Sequence, residues 1–280
     1  MTRREALPLL SSLLLPRTSA SEVNRERLPG VLRLEARARD ENSRPIRHDL
    51  IWPVASTAII ICDMWDNHYC QSSARRLAMM VPRMNEVLKA ARRAGVMIIH
   101  APSGTMDVYK NTPFRRRMTD AKPATPPEPI GKWCYLDRKR EAGLPIDDVT
   151  EPCDDAVVGE RVRRYNRQHE GIEIAAYDGI SDSGQEIYNF CEKEGIGNIA
   201  LMGVHANMCV LGRSFGIRQM TRIGRQVVLV RDLTDAMYDP RQRPYVSHER
   251  GTELVVEHIE RYWCPSVKAD DLMLRHSQSS

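Results

Sequence analysis

Short apolar runs alternate with longer stretches whose apolar residues recur every three to four positions, and this alternation confines the chain to a narrow set of folds. Runs at 58–62, 96–100, 172–175, 199–204 and 227–231, with a sixth near 266–268, read as buried strands. Helical spacing covers about 82–94, 183–194, 209–223 and 252–262. Strand following helix following strand is the signature of a parallel sheet covered on both faces. The expected architecture is therefore a three-layer, Rossmann-like α/β fold: a mostly parallel sheet of five to six strands, helices on both faces, and one long loop insertion. Pro82 suits the first turn of its helix, where a missing N–H has no partner to lose. Ser183 is placed to cap the next helix, with Glu186 at the capping-box position.

The alternation fails between His100 and Ile172. Lys122-Pro123-Ala124-Thr125-Pro126-Pro127-Glu128-Pro129 must be extended or irregular, because closely spaced prolines forbid both helix and ladder. Trp133, Tyr135, Leu136, Leu144 and Ile146 give this insertion, 102–171, enough apolar mass to fold over something, so it reads as a lid, a partner contact or a pocket wall. Residues 51–273 are read as one domain, 274–280 as a tail, and 1–50 as a leader or a flexible, surface-draped arm rich in Arg and Glu. Arg3-Arg4, an apolar run at 6–15 and Thr18-Ser19-Ala20 resemble a twin-arginine leader, while Pro8, Ser11 and Ser12 interrupt the run; cytoplasmic and exported locations both stay open. No stretch has the 18 or more apolar residues of a membrane span. A net charge of +4, with Arg115-Arg116-Arg117, Arg161 and Arg163-Arg164 in loops without a stacking-aromatic pattern, argues against nucleic acid as partner. The expected partner is a small-molecule substrate.

Chemistry gathers at two strand ends. In Gly203-Val204-His205-Ala206-Asn207-Met208-Cys209-Val210 one thiol follows a buried strand and opens a helix, where unpaired backbone N–H groups favour the thiolate. In Thr57-Ala58-Ile59-Ile60-Ile61-Cys62-Asp63-Met64-Trp65-Asp66-Asn67 a carboxylate ends the first strand. Reactive groups in such sheets collect beyond the carboxyl ends of the strands, so one fold brings Asp63 and Cys209 to a common edge. A lone Cys after a strand is ordinarily a small buried hydrophobe and a lone Asp a turn residue; their ordered pairing is what carries meaning. Of the seven cysteines, Cys62 and Cys191 fall in core patterns, and Cys70, Cys134 and Cys153 in loops where a pairing among them stays open.

The two segments together resemble the isochorismatase-like cysteine hydrolases, the superfamily of nicotinamidases, N-carbamoylsarcosine amidases and isochorismatases, over roughly 57–267. The resemblance implies Cys209 as nucleophile, Asp63 as base, a cis peptide at Val204–His205, and the amides of His205 and Cys209 as oxyanion donors. It also implies a lysine near the end of the third strand, and the matching position, Ala175 or Ala176, has none. Lys132, Lys110 or Arg164 would have to fold back to replace it. Arg213, one turn into the helix after Cys209, reads either as facing an anionic ligand or as a surface ion pair. The metal-binding Asp-x-His pair of nicotinamidases is missing after the second strand, so neither metal nor other cofactor is expected. His68, His100, Trp65 and Asn207 are ranked as pocket-lining. The expected function is hydrolysis of an amide or carbamoyl C–N bond, in a homo-oligomer as is common in that superfamily. The rivals are a catalytically silent binding or assembly protein and a vinyl-ether hydrolase that dispenses with the thiol.

Overall fold

The computed structural model describes residues 25–273. In chain order its elements are β1 (Val31–Arg39), β2 (Pro45–Pro53), β3 (Thr57–Cys62), α1 (Gln71–Ala94), β4 (Met97–Ala101), α2 (Met106–Tyr109), α3 (Pro113–Thr119), β5 (Gly179–Ile180), α4 (Gly184–Glu194), β6 (Asn198–Val204), α5 (Cys209–Gly212), α6 (Ile217–Arg222), β7 (Gln226–Asp235), α7 (His248–Tyr262) and β8 (Ser266–Val267). The described strands form one sheet in the order β2-β1-β8-β7-β6-β3-β4-β5. Strands β3 to β8 pair in parallel, and the β1–β2 hairpin adds antiparallel to β8. This is the expected α/β class with more strands than the periodicity predicted. No described helix is long and apolar enough to cross a membrane.

Strand β3 is buried along its whole length, as a central parallel strand must be when helices cover both faces. Its residues alternate between two cores. Ile59 and Ile61 join Leu77, Met84 and Leu88 of α1, while Ala58, Ile60 and Cys62 join Phe190 of α4, Met220 of α6 and Ile259 of α7. Gly203 lets β6 close tightly against the end of β3: its φ is +110°, and a Cβ there would stand 2.1 Å from the Cys62 carbonyl oxygen.

Five sequence expectations are corrected. Residues 31–50, read as arm, form the β1–β2 hairpin together with 51–53 from the start of the expected domain, and Leu32, Leu34 and Ala36 are buried at alternate positions. The surrounding arginines hid that period; Arg37 and Arg39 do not stay in solvent but pair with buried Glu260 at 2.7 and 3.2 Å. Helix α1 begins at Gln71, not Pro82, which lies inside it. Burial of Leu77, Val81, Met84, Val87 and Leu88 outweighs the roughly 3 kcal/mol that an interior proline costs.

Residues 172–175 form no strand. The Glu173 amide donates to the Asn85 side chain and the Ala175 amide to Asp178, so the third strand starts only at Gly179. The helix expected over 209–223 breaks after Gly212: Arg213 is extended (ψ 157°), and the chain resumes helix at Ile217. Ser183 does cap α4, accepting from the Glu186 amide, but the Glu186 carboxylate turns to Arg115 and Ser181 instead of closing a capping box. The leader and tail readings fall on residues 1–24 and 274–280, outside the described residues.

Candidate active site

Strand β3 ends in Asp63, whose left-handed backbone (φ 48°) turns the chain sharply at the sheet edge. The carboxylate is fully buried. Its Oδ1 accepts the Ser103 amide at 2.7 Å, from the loop after β4, and its Oδ2 accepts Nε of Arg213 at 2.9 Å. The Cys209 thiol, on the first residue of α5 and 8% exposed, lies close enough to both that the charges of Asp63 and Arg213 act on it. The two predicted residues therefore meet, and the third partner is a guanidinium.

Arg213 arrives because the helix breaks. Backbone around it is tied to two other segments: the Cys134 amide donates to the Gly212 carbonyl at 2.7 Å, and the Gly184 amide to the Ser214 hydroxyl at 2.9 Å. Trp133 pairs with Arg213 in an isolated antiparallel bridge, and its ring lies 5.5 Å from the guanidinium carbon. Lys110 and Arg164, proposed as substitutes for the absent lysine, are exposed in the insertion, and Lys132 reaches only the rim of the cleft beside Arg213. The sequence signal for Arg213 was a pair of glycines, Gly212 and Gly216, inside a supposed helix; each weakens a helix interior by about 1 kcal/mol and together they mark the interruption.

Burial dominates the ionisation of the group. It pushes the Asp63 carboxyl above the usual range, against the pull of Arg213 and the hydrogen bonds from Cys209 and Ser103. It pushes the Cys209 thiol well up, and the Asp63 charge pushes further, with Arg213 drawing it back. The depressed thiol expected from the helix start is thus not what this enclosed, four-residue helix provides. Arg213 stays charged: burial opposes it, yet Asp63, Cys209 and Cys62 together raise it. One fixed cation balances one anion, so a single proton shared by Asp63 and Cys209 leaves the buried cluster neutral, whereas ionising both would leave an unpaired charge.

A cleft of about 400 Å³ opens beside Arg213, lined among others by Ser103, Lys132, Asp182, Gly184 and Ser214. On the other side Trp65 is 5% exposed; its indole N–H donates to the Ser103 carbonyl, and its ring stacks on Tyr165 of the insertion at 4.2 Å. Arg163 lies over the outer face of Tyr165 at 4.9 Å. The insertion therefore covers the site with Trp133, one of the aromatics that marked it as a covering segment, and with Tyr165, which the sequence had not singled out.

The other pocket candidates divide. The Val204–His205 peptide is cis. The His205 ring is buried, its Nε2 is 2.6 Å from the Ser73 hydroxyl, and burial holds its pKa down to about 3. His68 packs between Trp65, Tyr69 and His205, and burial lowers it to about 4, so both rings are neutral at physiological pH. His100, for which a strand end left cleft and core equally open, lies in the core: fully buried, its Nδ1 meets Gln168 at 3.0 Å and its Nε2 meets Asp178 at 2.9 Å, leaving no ring nitrogen for a ligand. Asn207, open to contacting substrate or bracing the loop, braces it: its amide binds the Met237 backbone in both directions, at 2.8 and 3.1 Å, and reaches Asp148. All seven cysteines are free.

No family model and no curated protein matches the chain. Solved structures do. A cysteine hydrolase from Pseudomonas syringae pv. phaseolicola 1448A is 16% identical with a TM-score of 0.47, covering 78% of this chain and 91% of that one. An isochorismatase-like hydrolase from Alkaliphilus metalliredigens is 13% identical, TM-score 0.44, covering 78% and 94%. An N-carbamoylsarcosine amidase from Thermoplasma acidophilum is 12% identical, TM-score 0.39, covering 77% and 97%.

Proposed function

We propose that this chain is a hydrolase of the isochorismatase-like superfamily, cleaving an amide or carbamoyl C–N bond of a small molecule with Cys209 as nucleophile, Asp63 as base and Arg213 in the place of the superfamily's lysine. The observation that carries the reading is the buried meeting of Asp63, Arg213 and Cys209, three groups drawn from two strand ends and a helix break. Asp63 takes the thiol proton as sulfur attacks the carbonyl carbon. The oxyanion is received by the amides of His205 and Cys209, as the resemblance implies, and Asp63 returns the proton to the departing nitrogen. Water then hydrolyses the thioester, with Asp63 again as base. Arg213 holds Asp63 ionised without competing for its proton, since a guanidinium does not titrate in this range.

Turnover of a panel of small amides and N-carbamoyl compounds by wild type, Cys209→Ala and Asp63→Asn tests the proposal. Wild type turns over at least one compound, both variants fall by about 10³-fold or more, and intact mass under single turnover shows an acylated Cys209. Unchanged turnover by Cys209→Ala would sink the nucleophilic role.

A further inference from the structure

Away from the candidate active site, a second set of reactive side chains is assembled from segments distant in sequence. Cys70 immediately precedes α1, while Cys153 and Asp155 belong to the insertion, and one donor atom from each lies within 4.8 Å of the other two. Both thiols are fully buried and packed together with Met237. The Asp155 oxygens accept the first amides of α1, Gln71 at 2.7 Å and Ser72 at 2.8 Å, which leaves each oxygen a further lone pair. Asp154 Oδ1 stands 3.6 Å from the Cys70 sulfur while its carboxylate pairs with Arg76.

We propose that Cys70, Cys153 and Asp155 bind a thiophilic divalent cation of the zinc type, which clamps the insertion to the start of α1. Two sulfurs and one carboxylate select a borderline-soft metal over magnesium or calcium, which take oxygen ligands. Metal–sulfur bonds of about 2.3 Å and metal–oxygen bonds of about 2.1 Å set tetrahedral donors roughly 3.5–3.8 Å apart, so the cluster needs to contract by about 1 Å at most. On binding, the two S–H bonds break and both protons pass to solvent. Each sulfur then gives a lone pair to the metal, Asp155 supplies an oxygen, and no atom changes oxidation state. Asp154 or a water completes the shell. With water as fourth ligand the centre carries one net negative charge and with Asp154 two; Arg76, which bridges Asp154 and Asp235, is the cation beside it. Arg241 holds the carbonyls of Cys153 and Asp155, fixing the segment from outside.

The test uses the full chain, purified reduced and stripped of metal, with no substrate needed. Zinc chloride is expected to bind at one equivalent, release two protons in a pH-stat titration, and survive dialysis. Cobalt(II) is expected to give the intense visible bands of a tetrahedral site together with a sulfur-to-metal charge-transfer band. Cys153→Ser should lose the bands and the retained zinc while keeping the far-ultraviolet circular dichroism of wild type. Should that variant fail to fold, the proton count and cobalt spectrum of the wild-type protein decide alone. Zinc that dialyses away, zinc retained equally by a folded Cys153→Ser, or a non-reduced peptide map showing Cys70 linked to Cys153 as a disulfide overturns the proposal. Because Cys209 activity is not read, either reading can fail without the other.

Discussion

At the scale of single residues the question is how a buried thiol becomes a nucleophile when burial holds it protonated. The answer lies in the neutral cluster: moving one proton from Cys209 to Asp63 changes no net charge, and Arg213, bound to Asp63, acts on both groups through its charge. Removing the guanidinium leaves only hydrogen bonds to oppose burial at Asp63 and takes away the cation that draws the Cys209 thiol down. Arg213→Ala should therefore slow alkylation of Cys209 by iodoacetamide about 10²-fold, read as mass-tagged Cys209 against time, with Arg213→Lys recovering part of the rate. The pH dependence has a definite sign. Asp63 sits above the ordinary carboxylate range, so the acid limb of turnover must lie at higher pH than a free carboxylate gives, with activity falling as pH drops through it. In Arg213→Ala the limb should move further up; a downward move would mean Arg213 does not act on Asp63. The proposed nucleophile and base, Cys209 and Asp63, were legible as residue types at strand ends. The cation was not, because the resemblance directs attention to the third strand while the guanidinium comes from a different element.

Among elements, the insertion is the part whose placement decides the site. It is anchored by Glu141, a buried carboxylate that accepts Arg218 at 2.6 Å, His258 at 2.9 Å and the Trp263 indole at 2.9 Å. Burial opposes this charge, but the three donors outweigh it and hold Glu141 down to about 2. Glu141→Ala leaves Arg218, only 4% exposed, without its partner, and should cost about 3 kcal/mol or more in urea unfolding. Proteolysis within 120–165 should accelerate in parallel; an unchanged midpoint would show that the insertion is held elsewhere. The sequence pointed to a covering loop through its aromatic residues, and Trp133 and Tyr165 do cover the site. It could not show that the loop pairs with Arg213, since an isolated bridge and one hydrogen bond to Gly212 leave no periodic trace.

For the whole molecule, buried histidines set the response to acid. His205 and His68 ionise near 3 and 4 when folded and near 6.5 when unfolded, so between those values the unfolded chain binds more protons. Each contributes stability that is full above 6.5 and is lost, at up to about 1.4 kcal/mol per pH unit, as pH falls toward its folded value. His248 works the other way. Burial lowers it, but its hydrogen bond to Asp235 outweighs that and raises it, giving stability present below 6.5 that is lost as pH rises through the folded value. Net destabilisation from pH 6 to pH 4 is expected by urea titration, with a shallower slope in His205→Asn; an unchanged slope would place the acid sensitivity in other groups. The sequence by itself determined the parallel core, because fully buried strands and amphipathic helices write their burial into hydrophobic periodicity, and it marked Asp63 and Cys209, because strand ends in such a sheet share one edge. Only the tertiary structure decided that residues 31–53 extend the sheet, that the helix after Cys209 breaks, and that Arg213 completes the charge balance. Those outcomes depend on long-range pairings, Arg37 and Arg39 with Glu260, Ser214 with Gly184, and Arg213 with Asp63, in which each side chain finds a partner that no local pattern specifies.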